Sequence, residues 1–218
     1  MTKGCLFLEE KLANAEHLTE GSRARKKNAC PARAYKEANK KQCPPLLFVI
    51  RKRNVMIIRK AERKDIEALL EIYNHEVLHG VSTLDINAKT IDQWTVWFEN
   101  HNIKNHPLIV CEDEDVIMGY STLSSYREKE AYASTVELSI YVHPDHRGKG
   151  IGSKLMAEII AMAKADETVH TVVSVITSGN AASERLHSKF GFTYSGTIKE
   201  VGVKFGNYLD ISNYYLVV

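Results

Sequence analysis

From residue 56 onward, apolar residues recur along this chain with two periods, and the periods lay out its elements. Met56 to Ala61 reads as a first strand. Asp65 then falls in the first turn of a helix, where a carboxylate suits the dipole. Ile66, Leu69, Leu70, Tyr73 and Val77 follow at helical spacing and predict its buried face. Thr90-Ile91-Asp92-Gln93 is a capping box that opens a second helix burying Trp94 and Phe98. Leu108 to Cys111 is a strand, Glu112 to Asp115 a solvated turn, and Val116 to Leu123 the returning strand. Thr135 to Val142 alternates strictly. Val136, Leu138, Ile140 and Val142 point one way, and Thr135, Glu137, Ser139 and Tyr141 the other.

A glycine-rich stretch, His143 to Gly152, joins that strand to a helix with Leu155, Met156, Ile159, Ile160 and Ala163 on its core face. A strand over 171–176 and a helix over 180–190 follow, the helix closed by Gly191 at a C-terminal stop position. Two more strands, near 193–201 and 208–217, finish the chain. The alternation predicts a layered α/β or α+β domain over residues 56–218, with no internal repeat.

Charge divides the chain. Residues 1–55 carry 13 Lys and Arg against five Asp and Glu, whereas residues 56–218 carry 16 against 22. Residues 11–41 hold few large apolar side chains, too few to offset chain entropy, so a loose basic extension is expected. Three roles compete for it: a targeting arm, a nucleic-acid arm, or a non-functional extension with the natural product starting at Met56. The last is preferred, because organised patterning begins there. Five acidic residues count against a transit peptide, and no aromatic interleaving supports nucleic-acid binding. No apolar run reaches the length of a membrane helix, and four irregularly spaced cysteines fit reduced thiols in a cytoplasmic setting. Cys111, mid-strand, is expected to be an inert buried thiol.

The candidate chemistry centres on Arg147-Gly148-Lys149-Gly150-Ile151-Gly152. Glycines between a strand and a helix let the backbone approach a ligand, and a helix N-terminus offers unpaired N–H groups to phosphate. The dinucleotide fingerprint is excluded because Ser153 stands where its third Gly belongs, and the Walker pattern is absent. His143 and His146 lack the further ligands of a metal site.

Two blocks then carry a resemblance. Arg147, Gly150 and Gly152 fit the Arg/Gln-x-x-Gly-x-Gly/Ala fingerprint of the GCN5-related N-acetyltransferase superfamily, and Asn180 to Phe192 fits its later helix, from a leading Asn to Gly-Phe. Over about 56–218 the chain most resembles the phosphinothricin and methionine sulfoximine acetyltransferases. Ile72-Tyr73-Asn74, Thr135-Val136-Glu137 and the stretch from Gly202 to Asp210 look like that branch.

The resemblance implies a mixed sheet of six to seven strands with about four helices. It implies acetyl-CoA as co-substrate, no metal, a small amino-acid acceptor, and a homodimer. Cofactor contacts would come from Ile140, Tyr141 and Val142, from Arg147 through Ser153, and from Asn180, Ser183 and Lys189. Glu137 would be the general base that deprotonates the acceptor ammonium. Backbone N–H groups around Ile140 to Val142 would hold the oxyanion. His187 stands where many relatives carry Tyr and would be the acid for the leaving thiolate. Arg127 would bind the acceptor carboxylate through its planar fork, with Tyr73, Asn74, Leu138, Ser139 and Lys204 as further substrate contacts. The alternatives are an acceptor that is a protein N-terminus or another small amine, and a non-catalytic acetyl-CoA-binding module.

Overall fold

The computed structural model describes residues 56–218; the expectations for residues 1–55 lie outside them. Eleven main elements follow the order the patterning predicts. They are β1 (Ile57–Lys60), α1 (Ile66–His79), α2 (Ile91–Glu99), β2 (Leu108–Asp113), β3 (Val116–Ser125), β4 (Thr135–Val142), α3 (Ile151–Ala165), β5 (Thr171–Thr177), α4 (Ala181–Lys189), β6 (Thr193–Lys204) and β7 (Asn207–Val217). One seven-stranded sheet runs β1-β2-β3-β4-β5-β7-β6. Every neighbouring pair is antiparallel except β4 and β5.

Strand alternation sorts the core into two layers. Ile109, Cys111, Leu123, Val136 and Leu138 pack with Leu155, Met156, Ile159 and Ala163 of α3. On the opposite face, Leu108, Val110 and Tyr120 pack with Leu69 and Ile72 of α1 and Trp94 of α2. The predicted alternation of β4 is therefore realised, its apolar set under α3 and Glu137, Ser139 and Tyr141 toward α1 and α2. Phe98, expected inside, is half-buried.

Two local expectations change. The acidic turn after β2 is shorter than predicted: only Glu114 and Asp115 occupy the tip, both with positive φ (48° and 65°). Glu112 stays in the strand and is buried, because the Arg59 side chain reaches it diagonally from β1, where Ile57 is its register partner. Arg59 donates from Nε to Glu112 Oε2 (2.7 Å) and from its two terminal nitrogens to Asp65 (2.7 and 2.9 Å). Burial alone would raise the Asp65 carboxyl; Arg59 and the Glu62 amide more than offset it and hold it below the usual range.

The parallel pair is the feature that positions the site. β4 and β5 are in register only at Thr135–Thr171, Val136–Val172 and Glu137–Val173. Beyond Glu137 they diverge, and a cleft opens between Leu138–Val142 on one side and Ser174–Thr177 on the other.

Candidate active site

The cleft has a volume of about 550 Å³. Its floor is the backbone of β4, whose polar groups on the β5 side lose their ladder partners once the strands part. Its mouth is the start of α3. Gly150 is the N-cap of α3, with φ 79°, and no side chain caps the helix. The first N–H groups of α3 therefore have no partner within the helix, and Ile151, Gly152 and Ser153 line the cleft.

Gly148 (φ 76°) and Gly150 need the left-handed region. Gly152 differs: its φ is not in the left-handed region, and a Cβ there would just touch the Leu186 side chain of α4, at 3.4 Å. Arg147 forms an ion pair with Glu76, a buried carboxylate near the end of α1. Sequence reasoning missed Glu76. The available signal was its spacing, since it stands in line with Leu69 and Ile72 where an apolar residue belongs.

The α4 wall holds Asn180, Ser183, His187 and Lys189. Asn180 caps the helix by accepting from the Ser183 amide (3.2 Å), and Lys189 reaches Ser153 across the mouth (3.4 Å). Lys149 points elsewhere, toward His146 (3.1 Å). His187 is buried, with Nδ1 2.8 Å from the Ser183 carbonyl oxygen. A carbonyl only accepts, so Nδ1 carries the hydrogen. Burial pushes the imidazole below its ordinary range, which leaves Nε2 a bare acceptor near neutral pH. Nε2 finds no partner among the described residues. In this state His187 has no proton to give from Nε2, contrary to the expected acid role.

A second cavity, about 410 Å³, lies on the α1/α2 face of the sheet. Its walls are aromatic: Tyr73, Trp94, Trp97, Tyr120 and Tyr141, with Asp85, Lys89, Thr122 and Ser124 among them. Ser139 and Tyr141 line both cavities, so the two adjoin along the second half of β4. Glu137 lies on that same face, opposite Ser124 in register. Burial raises its carboxyl above the ordinary carboxylate value, and no hydrogen bond or ion pair holds it among the described residues.

Residues 80–90 run beside both cavities and are fastened from several elements. The Tyr73 hydroxyl donates to Asp85 (2.6 Å) and lies 3.1 Å from Thr83 Oγ1. Asn74 pairs with the backbone of Lys89 through both its oxygen (2.8 Å) and its nitrogen (2.9 Å). Lys204 is only 2% exposed and donates to the carbonyls of Glu76 (3.1 Å) and Thr83 (2.8 Å). Two expected substrate contacts are thus committed elsewhere: Asn74 and Lys204 clamp this segment, and the Lys204 ammonium also caps the end of α1. Arg127 is exposed in the loop after β3, over the rings of Tyr126 (4.9 Å) and Tyr132 (5.6 Å), and it walls neither cavity.

An anion cradle built of backbone, a slot between parted strands and an adjoining aromatic pocket together make the site of a transferase. The cleft suits a phosphate-bearing ligand, and the pocket beside it a smaller one. Comparison with known proteins gives the family. The model of the acetyltransferase (GNAT) family matches residues 66–192. An L-methionine sulfoximine/L-methionine sulfone acetyltransferase of Salmonella typhimurium is 40% identical over 157 residues, covering 72% of this chain and 91% of that protein. A phosphinothricin N-acetyltransferase of Streptomyces coelicolor is 39% identical over 160 residues, covering 72% and 93%. A solved acetyltransferase from Salmonella typhimurium with its cofactor acetyl-CoA is 40% identical with a TM-score of 0.72, covering 75% of this chain and 94% of that one.

This chain belongs to the GNAT family and is an N-acetyltransferase that uses acetyl-CoA as co-substrate. The cleft fits that group, with free helix N–H groups for the phosphates and an unpaired strand edge for an extended, amide-bearing arm. Among the described residues no set of three or more His, Cys, Asp or Glu side chains could hold a metal ion, and no helix is long and apolar enough to cross a membrane.

Proposed function

We propose that the acetyl group goes to the α-amine of a small amino acid or analogue, of the methionine sulfoximine, methionine sulfone or phosphinothricin type, with both substrates bound at once. The observation that carries this reading is the meeting of the two cavities at Ser139 and Tyr141. Adjoining cavities suit a ligand in the aromatic pocket that passes its amine to the cleft, as transfer without a covalent enzyme intermediate requires. The resemblance of the whole domain to acetyltransferases of that specificity supports the acceptor class.

Acetyl-CoA supplies an activated acyl carbon, and the residues of this chain do the rest. Glu137 takes the proton from the acceptor ammonium, directly or through a water. A raised carboxyl is the better base, since its affinity for a proton lies closer to that of the group it must deprotonate. Backbone N–H groups of β4 from Ile140 to Val142 receive the carbonyl oxygen as it gains charge. His187 acts as an acceptor on the cleft wall, and the thiolate departs without its help. Arg127, in the exposed loop three residues beyond the pocket-lining Ser124, is the proposed cation for the acceptor carboxylate. Tyr73 and Ser139 shape the pocket; Leu138, Arg147, Ser153, Asn180, Ser183 and Lys189 line the cofactor side.

The enzyme is further proposed to be cytoplasmic and homodimeric. The β6–β7 hairpin supports the dimer by leaving Ile198, Val203, Phe205 and Tyr208 exposed. The activity is tested by following thiol release from acetyl-CoA across a panel holding methionine sulfone, methionine sulfoximine, phosphinothricin, common amino acids and N-terminal peptides. Release with free amino acids or their analogues is expected; release with peptides alone would overturn the reading.

A further inference from the structure

Two side chains that wall the aromatic pocket each carry a buried polar atom with no hydrogen-bond partner among the described residues. Trp94 is 3% exposed and Tyr120 is fully buried, yet Trp94 Nε1 and the Tyr120 hydroxyl find no hydrogen-bond partner among the described residues. Both side chains wall the 410 Å³ cavity. A buried polar group left unpaired costs about 1–3 kcal/mol, and two of them in one pocket call for an external partner. The indole nitrogen can only donate, and the phenol donates readily. The charged and phenolic groups on the α1 side of the pocket are already engaged: Asp85 with Tyr73 and Lys89, and Tyr73 with Asp85.

The placement also fits a side chain rather than the reacting amine. Tyr120 sits on β3 opposite Tyr141 of β4, one strand away from where the two cavities meet. One strand spacing, about 4.8 Å, is the reach of a side chain three or four atoms long.

We propose that Trp94 and Tyr120 form a pair of hydrogen-bond donors that selects acceptors carrying an oxygen at the end of the side chain: a sulfone, sulfoximine or phosphinate oxygen. This rests on the proposed amino-acid acceptor and adds the residues that read it. A thioether is a weak hydrogen-bond acceptor and leaves both donors unpaired, so plain methionine is discriminated against. The two residues determine specificity; they move no proton in the transfer.

The test compares methionine sulfone with methionine, which differ only in the two oxygens, using the full chain with acetyl-CoA saturating. Tyr120→Phe removes only the hydroxyl. It is expected to lower the sulfone-to-methionine ratio of kcat/KM about 10-fold, and Trp94→Phe, which keeps an aromatic ring but no N–H, to lower it by a similar factor. Because the hydroxyl has no partner in the fold, Tyr120→Phe should also leave Tm unchanged or raise it. An unchanged ratio in both variants would overturn the proposal, as would an equal loss for both acceptors, which would assign the donors to the shared α-carboxylate. A clear fall in Tm for Tyr120→Phe would also overturn it, by showing the hydroxyl bonded within the fold. If the wild-type protein turns over both acceptors equally, or neither of them while it turns over another free amino acid or analogue of the panel, only this inference fails; if it turns over no free amino acid or analogue at all, the amino-acid reading fails with it.

Discussion

The cofactor cleft and the aromatic pocket share Ser139 and Tyr141, yet they are made of different material. The cleft is largely backbone: a strand edge, a glycine loop and the first turn of α3. The pocket is side chain, gathered from α1, α2, β3 and the segment 80–90. A backbone site is rigid and indifferent to most substitutions, and suits a co-substrate that never changes. A side-chain site can be respecified one residue at a time, and suits an acceptor that differs among relatives. Glu137 walls neither cavity; it holds the last paired position of β4 before the cleft, on the face that carries the pocket and opposite the pocket-lining Ser124.

If that division is right, variants should separate the two halves. The largest effect is expected for Glu137→Gln, a fall in kcat of about 10²–10⁴-fold with the Kd for acetyl-CoA nearly unchanged. The wild-type rate should fall toward acid below a limb placed above the ordinary carboxylate range, because the base must be ionised and burial has raised it. Stability runs the other way. A carboxyl raised in the fold costs stability once pH climbs past its unfolded value, so Glu137→Gln should raise Tm at neutral pH. A variant that lost activity and stability together would mark Glu137 as structural.

Lys204→Met comes next. One buried and one half-buried carbonyl lose their shared donor, at about 1–3 kcal/mol, and the segment 80–85 loosens. The KM for the acceptor should rise several-fold with Tm falling, while the Kd for acetyl-CoA changes little; equal losses on both substrates would erase the distinction. The smallest expected stability effect is that of Gly150→Ala, about 1–2 kcal/mol of backbone strain at a positive φ. It should weaken acetyl-CoA binding and leave acceptor selectivity intact, measured as the ratio of kcat/KM between two acceptors.

The same contrast explains how much of the molecule is legible in its sequence. The alternation of β4, the glycine loop and the Asn180 cap are local: each is written in consecutive residues whose spacing follows from strand period, helix geometry or a needed backbone angle. The pocket is not local. Tyr73, Trp94, Trp97 and Tyr120 each look like ordinary core in their own windows, and only the packing of α1 and α2 onto β3 brings them together. Lys204 belongs to a stretch that looks like the branch, but its partners lie 121 and 128 residues away, so its burial could not be foreseen. Glu112 was misread for a related reason. A run of acidic residues reads as solvated until Arg59 is placed beside it on a neighbouring strand.

The three-residue pairing of β4 with β5 means that the sheet carries an edge in its own interior. On one side lie β1 to β4, on the other β5, β7 and β6, and for most of their length nothing of the protein's own main chain joins them. Whatever extended molecule lies in that gap acts as a missing strand, borrowed for the duration of a turnover. The stability of the enzyme is then partly a property of its surroundings: by mass action it rises and falls with the concentration of the acyl donor it consumes.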